Sequence, residues 1–320
     1  MIQAPDEPHY RMVAQRILAG KVVPFLGAGV NLCGRPESVA WARGEYLPSG
    51  AELAEYLSKR LGYPYQDTTN LLRVSQYVDV MLGPGALYQE LHEVFDADYA
   101  PTPVHRLLAS LPAMIRATTS ERRYFPLIVT TNYDDALERA FLQAGEPYDL
   151  LIYIADGPDH GRFLHTSPDG ESRVITEPNR YTELRFEQQP VIAKIHGAVV
   201  RGVDDRDSFV VTENHYIDYL SHTEIPQLIP VTVASRMRKS HFLFLGYSLK
   251  DWNLRVILNR LAESAVGEWA SWAIQSHPES IEERSWFRRN VELLDARLET
   301  YIGGLGAALL DASTSARLVA

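Results

Sequence analysis

Cysteine is almost absent from the 320 residues, because Cys33 is the only one. A single thiol cannot form an internal disulfide, and thiolates alone cannot build a zinc site. No apolar run approaches the ~20 residues that cross a bilayer. The polar segment from Met1 to Pro8 also lacks the pattern of a signal peptide. We therefore expect a cytoplasmic protein with no membrane anchor, no disulfide and no zinc.

Basic side chains are also in short supply, with 31 Lys and Arg against 41 Asp and Glu and a formal net charge of −10. Nonspecific binding to nucleic acids depends mainly on neutralising phosphates with Lys and Arg. The composition therefore argues against direct nucleic-acid binding, although it leaves room for a local basic patch. With 46% hydrophobic residues, the chain has ample material for one large folded domain.

Short apolar runs alternate with helical patterns along the chain. Five of these runs predict buried strands, at 22–26, 127–130, 190–195, 241–245 and 269–274. Strands that alternate with helices indicate an α/β fold. We expect a Rossmann-like, mostly parallel sheet with helices on both faces.

The same patterns predict one domain at 1–311 and a tail at 312–320. A helical insertion is expected at about 50–112, and an irregular, strand-rich insertion at about 148–188. Trp286, Phe287 and a short final helix at 302–310 carry apolar side chains. These residues are candidate assembly contacts, and packing in the core is the alternative.

Small or polar residues follow four of the five predicted strands. The carboxyl ends of parallel strands line the ligand crevice of an open sheet, so we expect these residues to converge at one edge. They are Gly27-Ala28-Gly29, Asn132 with Asp134, His196 before Gly197, and Gly246-Tyr247-Ser248.

The glycine turn at 27–29 lets a backbone approach a pyrophosphate closely and offers it amide hydrogens. The third glycine of the dinucleotide fingerprint is missing from residues 30–32. No lysine followed by Ser or Thr is present near the turn, which excludes a Walker-type loop. A tight turn that binds no ligand remains the alternative.

The other strand ends carry side chains suited to chemistry on a sugar or an amide. Asn132 and Asp134 can orient a hydroxyl, a water or a carboxamide, but both residue types also cap helices. His196 is placed for base chemistry near neutral pH, with Gly197 clearing space beside it. A packing role is its alternative. The segment from Gly246 to Ser248 is either a ligand contact or the start of a helix.

The order Gly-Ala-Gly, Asn-x-Asp, His-Gly and Gly-x-Ser resembles the NAD-binding core of the sirtuin family. The stretches 127–135 and 244–254 look most like the sirtuin-like NADases of bacterial anti-phage defence. The resemblance implies one sirtuin-like NAD-binding domain. It also implies that Gly27, Ala28 and Gly29 hold the pyrophosphate, with further cofactor contacts from Asn31, Asp134, Gly246 and Ser248.

The chain departs from the sirtuin deacylases in two ways that bear on the reaction. Deacylases carry four zinc-binding cysteines where this chain has none, and Asn31 stands where a serine is usual. The resemblance to defence NADases therefore implies hydrolysis of NAD+ to nicotinamide and ADP-ribose. Asn132 is then expected to position the water and the ribose hydroxyls, Asp134 the carboxamide, and His196 to remove a proton. Gln275 is a candidate for an adenine contact.

Two other functions remain open. A protein deacylase or ADP-ribosyltransferase would use the same pocket with an acceptor other than water. A non-catalytic sensor would bind NAD or ADP-ribose without needing both Asn132 and His196. For a defence NADase, the resemblance implies a homo-oligomer and a separate sensor partner, such as a HerA-type ATPase or an Argonaute-like protein.

Overall fold

The computed structural model describes residues 3–118, 123–203, 206–221, 229–247, 270–278, 284, 286 and 290–318. Ser248 and Phe287, both named in the sequence analysis, lie outside these residues.

A mostly parallel sheet forms the centre of the molecule. In the described part of the chain it contains nine strands in the order β11-β10-β9-β1-β2-β6-β3-β4-β5. Neighbours from β11 to β3 are parallel, and β4 and β5 extend the sheet as an antiparallel hairpin. A second, two-stranded sheet pairs β7 with β8. The strands are β1 Val22–Leu26, β2 Leu127–Thr130, β3 Asp149–Tyr153, β4 Phe163–Thr166, β5 Ser172–Ile175, β6 Val191–Lys194, β7 Gly197–Ala198, β8 Ser208–Phe209, β9 His241–Leu245, β10 Ser271–Gln275 and β11 Val291–Asp295.

The helices of the described residues are α1 Glu7–Leu18, α2 Gly50–Leu61, α3 Leu71–Leu82, α4 Pro84–Phe95, α5 Pro103–Ala117, α6 Ala136–Ala144, α7 Glu213–Ser221, α8 Val231–Arg238 and α9 Leu298–Leu318. Capping hydrogen bonds and a glycine set the two ends of α2. Helix α2 begins at a capping box, in which the Glu52 amide donates to the Ser49 hydroxyl and the Ser49 amide donates to the Glu52 carboxylate. It stops at Gly62, which adopts a left-handed φ of 71°. None of these helices is both long and apolar enough to cross a membrane.

Helices cover both faces of the sheet. Successive residues of a strand point to opposite faces, so a single strand contributes side chains to both cores. In β1, Val22 and Leu26 belong to a core shared with α1, α5, α6 and α9. Val23 and Phe25 belong to the opposite core, which includes residues of α8. This arrangement confirms the predicted α/β class.

Helices α2, α3 and α4 pack away from the sheet around a third core. This core also includes Tyr133 and Phe209 of the strand-end region, and the ring of Phe95 in α4 lies 5.6 Å from that of Tyr133. Helix α5 instead packs against the sheet layer, in the core formed by α1, α6 and α9. The core around α2, α3 and α4 thus continues to Tyr99, and the bounds of the helical insertion at about 50–112 stay a prediction. β3 inside the irregular insertion is a regular member of the sheet, parallel to β6.

The interpretation of Trp286 as an assembly contact is wrong, because its side chain is 1% exposed and packs on Phe244. Ile302 and Leu309 are also buried, in the core beneath α1 and α5. Helix α9 is longer than predicted and includes most of the expected tail, since it runs to Leu318.

Candidate active site

The sheet order identifies a crevice at its carboxyl edge. From β1 the chain proceeds to β2 and β6 on one side, whereas β9 and β10 lie on the other side of β1. The strand order therefore reverses between β1 and β9, and ligands of open α/β sheets bind at such a point. The four segments singled out in the sequence follow β9, β1, β2 and β6, which are consecutive neighbours in the sheet. The fold thus brings the four strand ends together.

Glycines allow the ends of β1 and β9 to meet at this point. The Gly29 amide donates to the Gly246 carbonyl at 2.8 Å, and the Gly27 amide donates to the Leu245 carbonyl at 3.0 Å. A Cβ on Gly29 would lie 2.6 Å from the Gly246 oxygen. Gly246 has a φ of +70°, and a Cβ there would lie 2.3 Å from the Val30 nitrogen. The amides of Gly27 and Gly29, which were expected to bind a pyrophosphate, thus donate to carbonyl groups of the protein.

Tyr247 extends from the end of β9 across β1 to β2. Its ring lies 5.4 Å from that of Phe25, and its hydroxyl is 2.9 Å from the Thr131 hydroxyl. The same ring would contact a Cβ at Gly27. Tyr247 was not predicted as a site residue, although it lies inside the Gly246-Tyr247-Ser248 segment. Its contacts join three neighbouring strand ends.

Asn132 and His196 occupy equivalent places on β2 and β6. Thr130 and Lys194, the last residues of β2 and β6, are register partners. Asn132 lies two positions after Thr130, and His196 lies two positions after Lys194. Both side chains are buried. The Asn132 amide nitrogen Nδ2 donates to the Gly27 carbonyl at 3.3 Å, which ties β2 to the glycine turn.

His196 is neutral in this setting. Burial lowers the pKa of its imidazole to about 3. Its Nδ1 lies 3.4 Å from the Tyr216 hydroxyl, and the two rings meet edge to face. Gly197 does not clear space for a ligand as predicted. It has a φ of +82° and lies so near β8 that a Cβ would be 2.0 Å from the Ser208 carbonyl oxygen.

Asn31 and Asp134 are in direct contact, although 103 positions separate them in the chain. The Asn31 Nδ2 donates to Asp134 Oδ2 at 3.0 Å. Asp134 Oδ1 accepts from the Ala136 amide at 3.1 Å, so this side chain also serves the first turn of α6. Both residues are buried. The contact of Asp134 with a carboxamide stays a prediction.

Lys194 lies beneath this pair and was missed by the sequence analysis. Its side chain is 1% exposed, and its Nζ donates to the Asp134 carbonyl and, at 2.8 Å, to Glu138 Oε1. Burial raises the pKa of Glu138 despite the neighbouring ammonium group. The signal was a lysine inside the apolar strand at 190–195. Buried lysines are rare unless they are paired.

Two further predictions concern Gln275 and metals. Gln275 is the last residue of β10, which pairs with β9, and its side chain is partly buried. Its contact with adenine stays a prediction. Within the described ranges, no group of three or more His, Cys, Asp or Glu side chains could hold a metal ion.

Comparison with known proteins places these residues in a family context. The model of the SIR2-like domain matches residues 126–294. The chain is 28% identical over 211 residues to the NAD(+) hydrolase ThsA of Acinetobacter baumannii (strain 532279), covering 66% of this chain and 35% of the relative. It is 26% identical over 249 residues to the NAD(+) hydrolase ThsA of Enterococcus faecium, covering 77% and 41%. It is also 23% identical over 298 residues to defense-associated sirtuin 2 of Bacillus subtilis, covering 92% and 23%.

The chain thus spans less than half the length of each of these relatives. Among solved structures, one from a study of the mechanism and regulation of Sir2 enzymes aligns with 97% of this chain and 99% of its own. The sequence identity is 14% and the TM-score is 0.45.

Proposed function

Since the chain belongs to the SIR2-like domain family, whose model matches more than half of it, we propose that it hydrolyses NAD+ to nicotinamide and ADP-ribose. The observation that carries the proposal is the placement of Asn132 and His196. Both are buried at the same level beyond adjacent strands, beside the point where the strand order reverses. The similar relatives named NAD(+) hydrolases support the same activity.

The reaction places modest demands on the protein. Nicotinamide leaves as a neutral base, and positive charge develops on the ribose in an oxocarbenium-like transition state. The protein must hold the ribose and bring a water to it. In our proposal Asn132 positions the water and the ribose hydroxyls, since the Asn132–Gly27 hydrogen bond fixes the amide between β1 and β2.

His196 acts as the proton acceptor in this proposal. With a pKa of about 3, its ring is neutral and can accept a proton at neutral pH. A base of low pKa is weak, but a water that attacks an oxocarbenium carbon becomes strongly acidic as the bond forms. A weak base within hydrogen-bond reach is then sufficient. Loss of such a base costs roughly 10²–10⁴-fold in rate.

The test is to measure nicotinamide and ADP-ribose from NAD+, with and without an acetylated peptide, for the parent protein and for His196→Ala and Asn132→Ala. We expect both variants to lose turnover with unchanged circular dichroism. His160→Ala is the matched control, because His160 is exposed in the loop between β3 and β4. Parent-like turnover in either site variant would refute the proposed mechanism.

The same assay separates the alternative functions. Release of nicotinamide only with the peptide would indicate a deacylase or an ADP-ribosyltransferase. Binding of NAD+ without any turnover would indicate a sensor. We also propose that no zinc is needed, and near-stoichiometric zinc in elemental analysis would contradict this.

We further propose that activity is controlled by assembly. Continuous hydrolysis of a cytoplasmic NAD pool would harm the host cell, so a defence effector requires a trigger. Self-association and a separate sensor, such as a HerA-type ATPase or an Argonaute-like protein, would supply it. NADase rate and mass in solution across a dilution series, with and without the candidate sensor, would test this control.

A further inference from the structure

The hydroxyl of Tyr216 faces the imidazole of His196. Its oxygen lies 3.4 Å from Nδ1, and the two rings meet edge to face with their centroids 5.3 Å apart. This separation is at the long end of hydrogen-bond reach, as is common for catalytic groups before a substrate binds. Tyr216 belongs to α7, and the sequence analysis did not single it out. A group that bonds one nitrogen of a histidine decides which nitrogen carries the proton.

The backbone fixes the distance between α7 and His196. The His196 carbonyl accepts a hydrogen bond from the Val210 amide at 2.9 Å. The next residue, Gly197, pairs with Phe209 in the small sheet of β7 and β8. Helix α7 begins at Glu213, shortly after this segment. The chain that leads into α7 is therefore bonded to the backbone of His196 itself.

Three contacts orient the first turn of α7. The His215 amide donates to the Thr212 hydroxyl at 3.2 Å, which is the hydrogen bond of a capped helix. Nε2 of His215 lies 3.5 Å from Asp156 Oδ2, in the connection between β3 and β4. The Asn214 amide donates to Gln76 Oε1 of α3 at 3.1 Å. Because Tyr216 follows His215 in the chain, these contacts also limit where its ring can lie.

The contact bears on the reaction because a neutral imidazole has one N–H and one nitrogen that accepts a proton. A phenol oxygen can accept a hydrogen bond as well as donate one. If Nδ1–H of His196 donates to the Tyr216 oxygen, Nε2 on the other side of the ring is left to accept. A carboxylate in the place of Tyr216 would orient the ring in the same way but would raise its pKa. The pKa of His196 is instead lowered by burial.

We propose that Tyr216 is a positioning residue, whose oxygen accepts a hydrogen bond from Nδ1–H of His196 and so leaves Nε2 to take the proton of the attacking water. This proposal rests on the proposed function and adds a residue to it. As the water oxygen bonds to the ribose carbon, nicotinamide leaves with the electron pair of its bond, and one water proton passes to Nε2. Both ring nitrogens then carry a proton, and the Tyr216 oxygen continues to accept from Nδ1.

The first test is Tyr216→Phe, which keeps the ring and removes the oxygen. Without that acceptor, the proton of His196 moves to Nε2, and the nitrogen needed for catalysis is no longer able to accept. We expect kcat for NAD+ hydrolysis to fall about 10- to 100-fold, which is less than the roughly 10²–10⁴-fold loss expected when a base is removed. KM should change little, because Tyr216 acts through His196.

Tyr77→Phe is the matched control. Tyr77 is a partly buried residue of α3, and its ring also meets another ring, that of Tyr63, edge to face at 5.3 Å. The substitution removes one phenol oxygen without changing the contact with His196, so kcat should equal that of the parent. Equal losses of kcat in the two variants would overturn the proposal, since they would indicate a general effect on the fold.

The second test measures the tautomer directly and needs no substrate. Nitrogen NMR of isotope-labelled histidine rings distinguishes N–H from an unprotonated nitrogen, and the signals absent from His196→Ala identify this residue. We expect Nδ1–H in the parent and in Tyr77→Phe, and Nε2–H in Tyr216→Phe. If Tyr216 served packing alone, its substitution would lower the free energy of unfolding and leave the tautomer unchanged.

The Nε2–H tautomer in the parent would overturn the proposal, and so would a parent-like kcat in Tyr216→Phe. A fall in kcat with an unchanged tautomer would overturn it as well. Failure of the proposed function gives a different result, in which the parent releases no nicotinamide from NAD+. The tautomers of the parent and Tyr216→Phe then decide alone whether Tyr216 orients His196.

Discussion

Replacing Lys194 with Met should destabilise the fold more than any comparable change of a surface charge. The substitution removes the hydrogen bond to the Asp134 carbonyl and the 2.8 Å bond to Glu138. Glu138 Oε2 has no other partner among the described residues, so its carboxylate would remain buried without compensation. Breaking a buried ion pair from one side typically costs about 3–5 kcal/mol. We expect a loss of that size in the free energy of unfolding, measured by urea titration near pH 7.

Two controls separate a buried charge from lost packing. Arg162→Met breaks an exposed ion pair with Asp159 and should cost less than about 1 kcal/mol. The double variant Lys194→Met/Glu138→Leu removes both charges and should recover most of the loss, since an apolar pair of similar volume is often neutral or stabilising. A single variant as stable as the parent, or a double variant no better than the single one, would refute the reasoning.

The loss should also depend on pH. Burial raises the folded-state pKa of Glu138 above its ordinary value of 4.5, and removal of Lys194 can only raise it further. Above the unfolded-state value, the native state then binds more protons than the unfolded state, so stability falls as pH rises. The penalty of Lys194→Met should therefore be smaller at pH 5 than at pH 8.

Two further predictions concern the strand ends. Gly29→Ala should destabilise the protein by roughly 1–3 kcal/mol in urea titration, because its Cβ would meet the Gly246 carbonyl, whereas Gly85→Ala enters open space and should be neutral or slightly stabilising. The rate of NAD+ hydrolysis should show no fall with an apparent pKa near 6.5 between pH 8 and pH 5, because His196 with a pKa of about 3 stays neutral throughout. A His196 imidazole that titrates near pH 6.5 in an NMR pH series of the parent protein would contradict the assigned burial.

The central strands were predicted from sequence with little error, because β1, β2 and β9 are apolar runs bounded by polar or glycine residues. The edge strand β11 was missed. Its sequence, Val-Glu-Leu-Leu-Asp, contains residues with good helix propensity, and pairing with β10 decides its conformation. The hairpin of β4 and β5 was recognised only as a strand-rich region, since its strands are short and its turns are rich in Gly and Asp.

At the site, the convergence of the four strand ends followed from the rule for parallel sheets. The partners of each side chain did not. A strand pattern shows that Lys194 lies in a buried run. Only the folded structure shows that its ammonium group pairs with the carboxylate of Glu138 in α6. Likewise, no local signal joins Asn31 to Asp134, because 103 positions of chain separate them.

The place of β1 in the sheet has a consequence for synthesis on the ribosome. Val22 of β1 pairs with His241 of β9, so one edge of this first strand stays unpaired until most of the chain has been made. At 5–20 residues per second, the wait is on the order of 10 s or more. During that time an apolar strand with free backbone groups is open to pairing with other nascent chains. We therefore expect release of a soluble product to depend on chaperones that bind before β9 emerges.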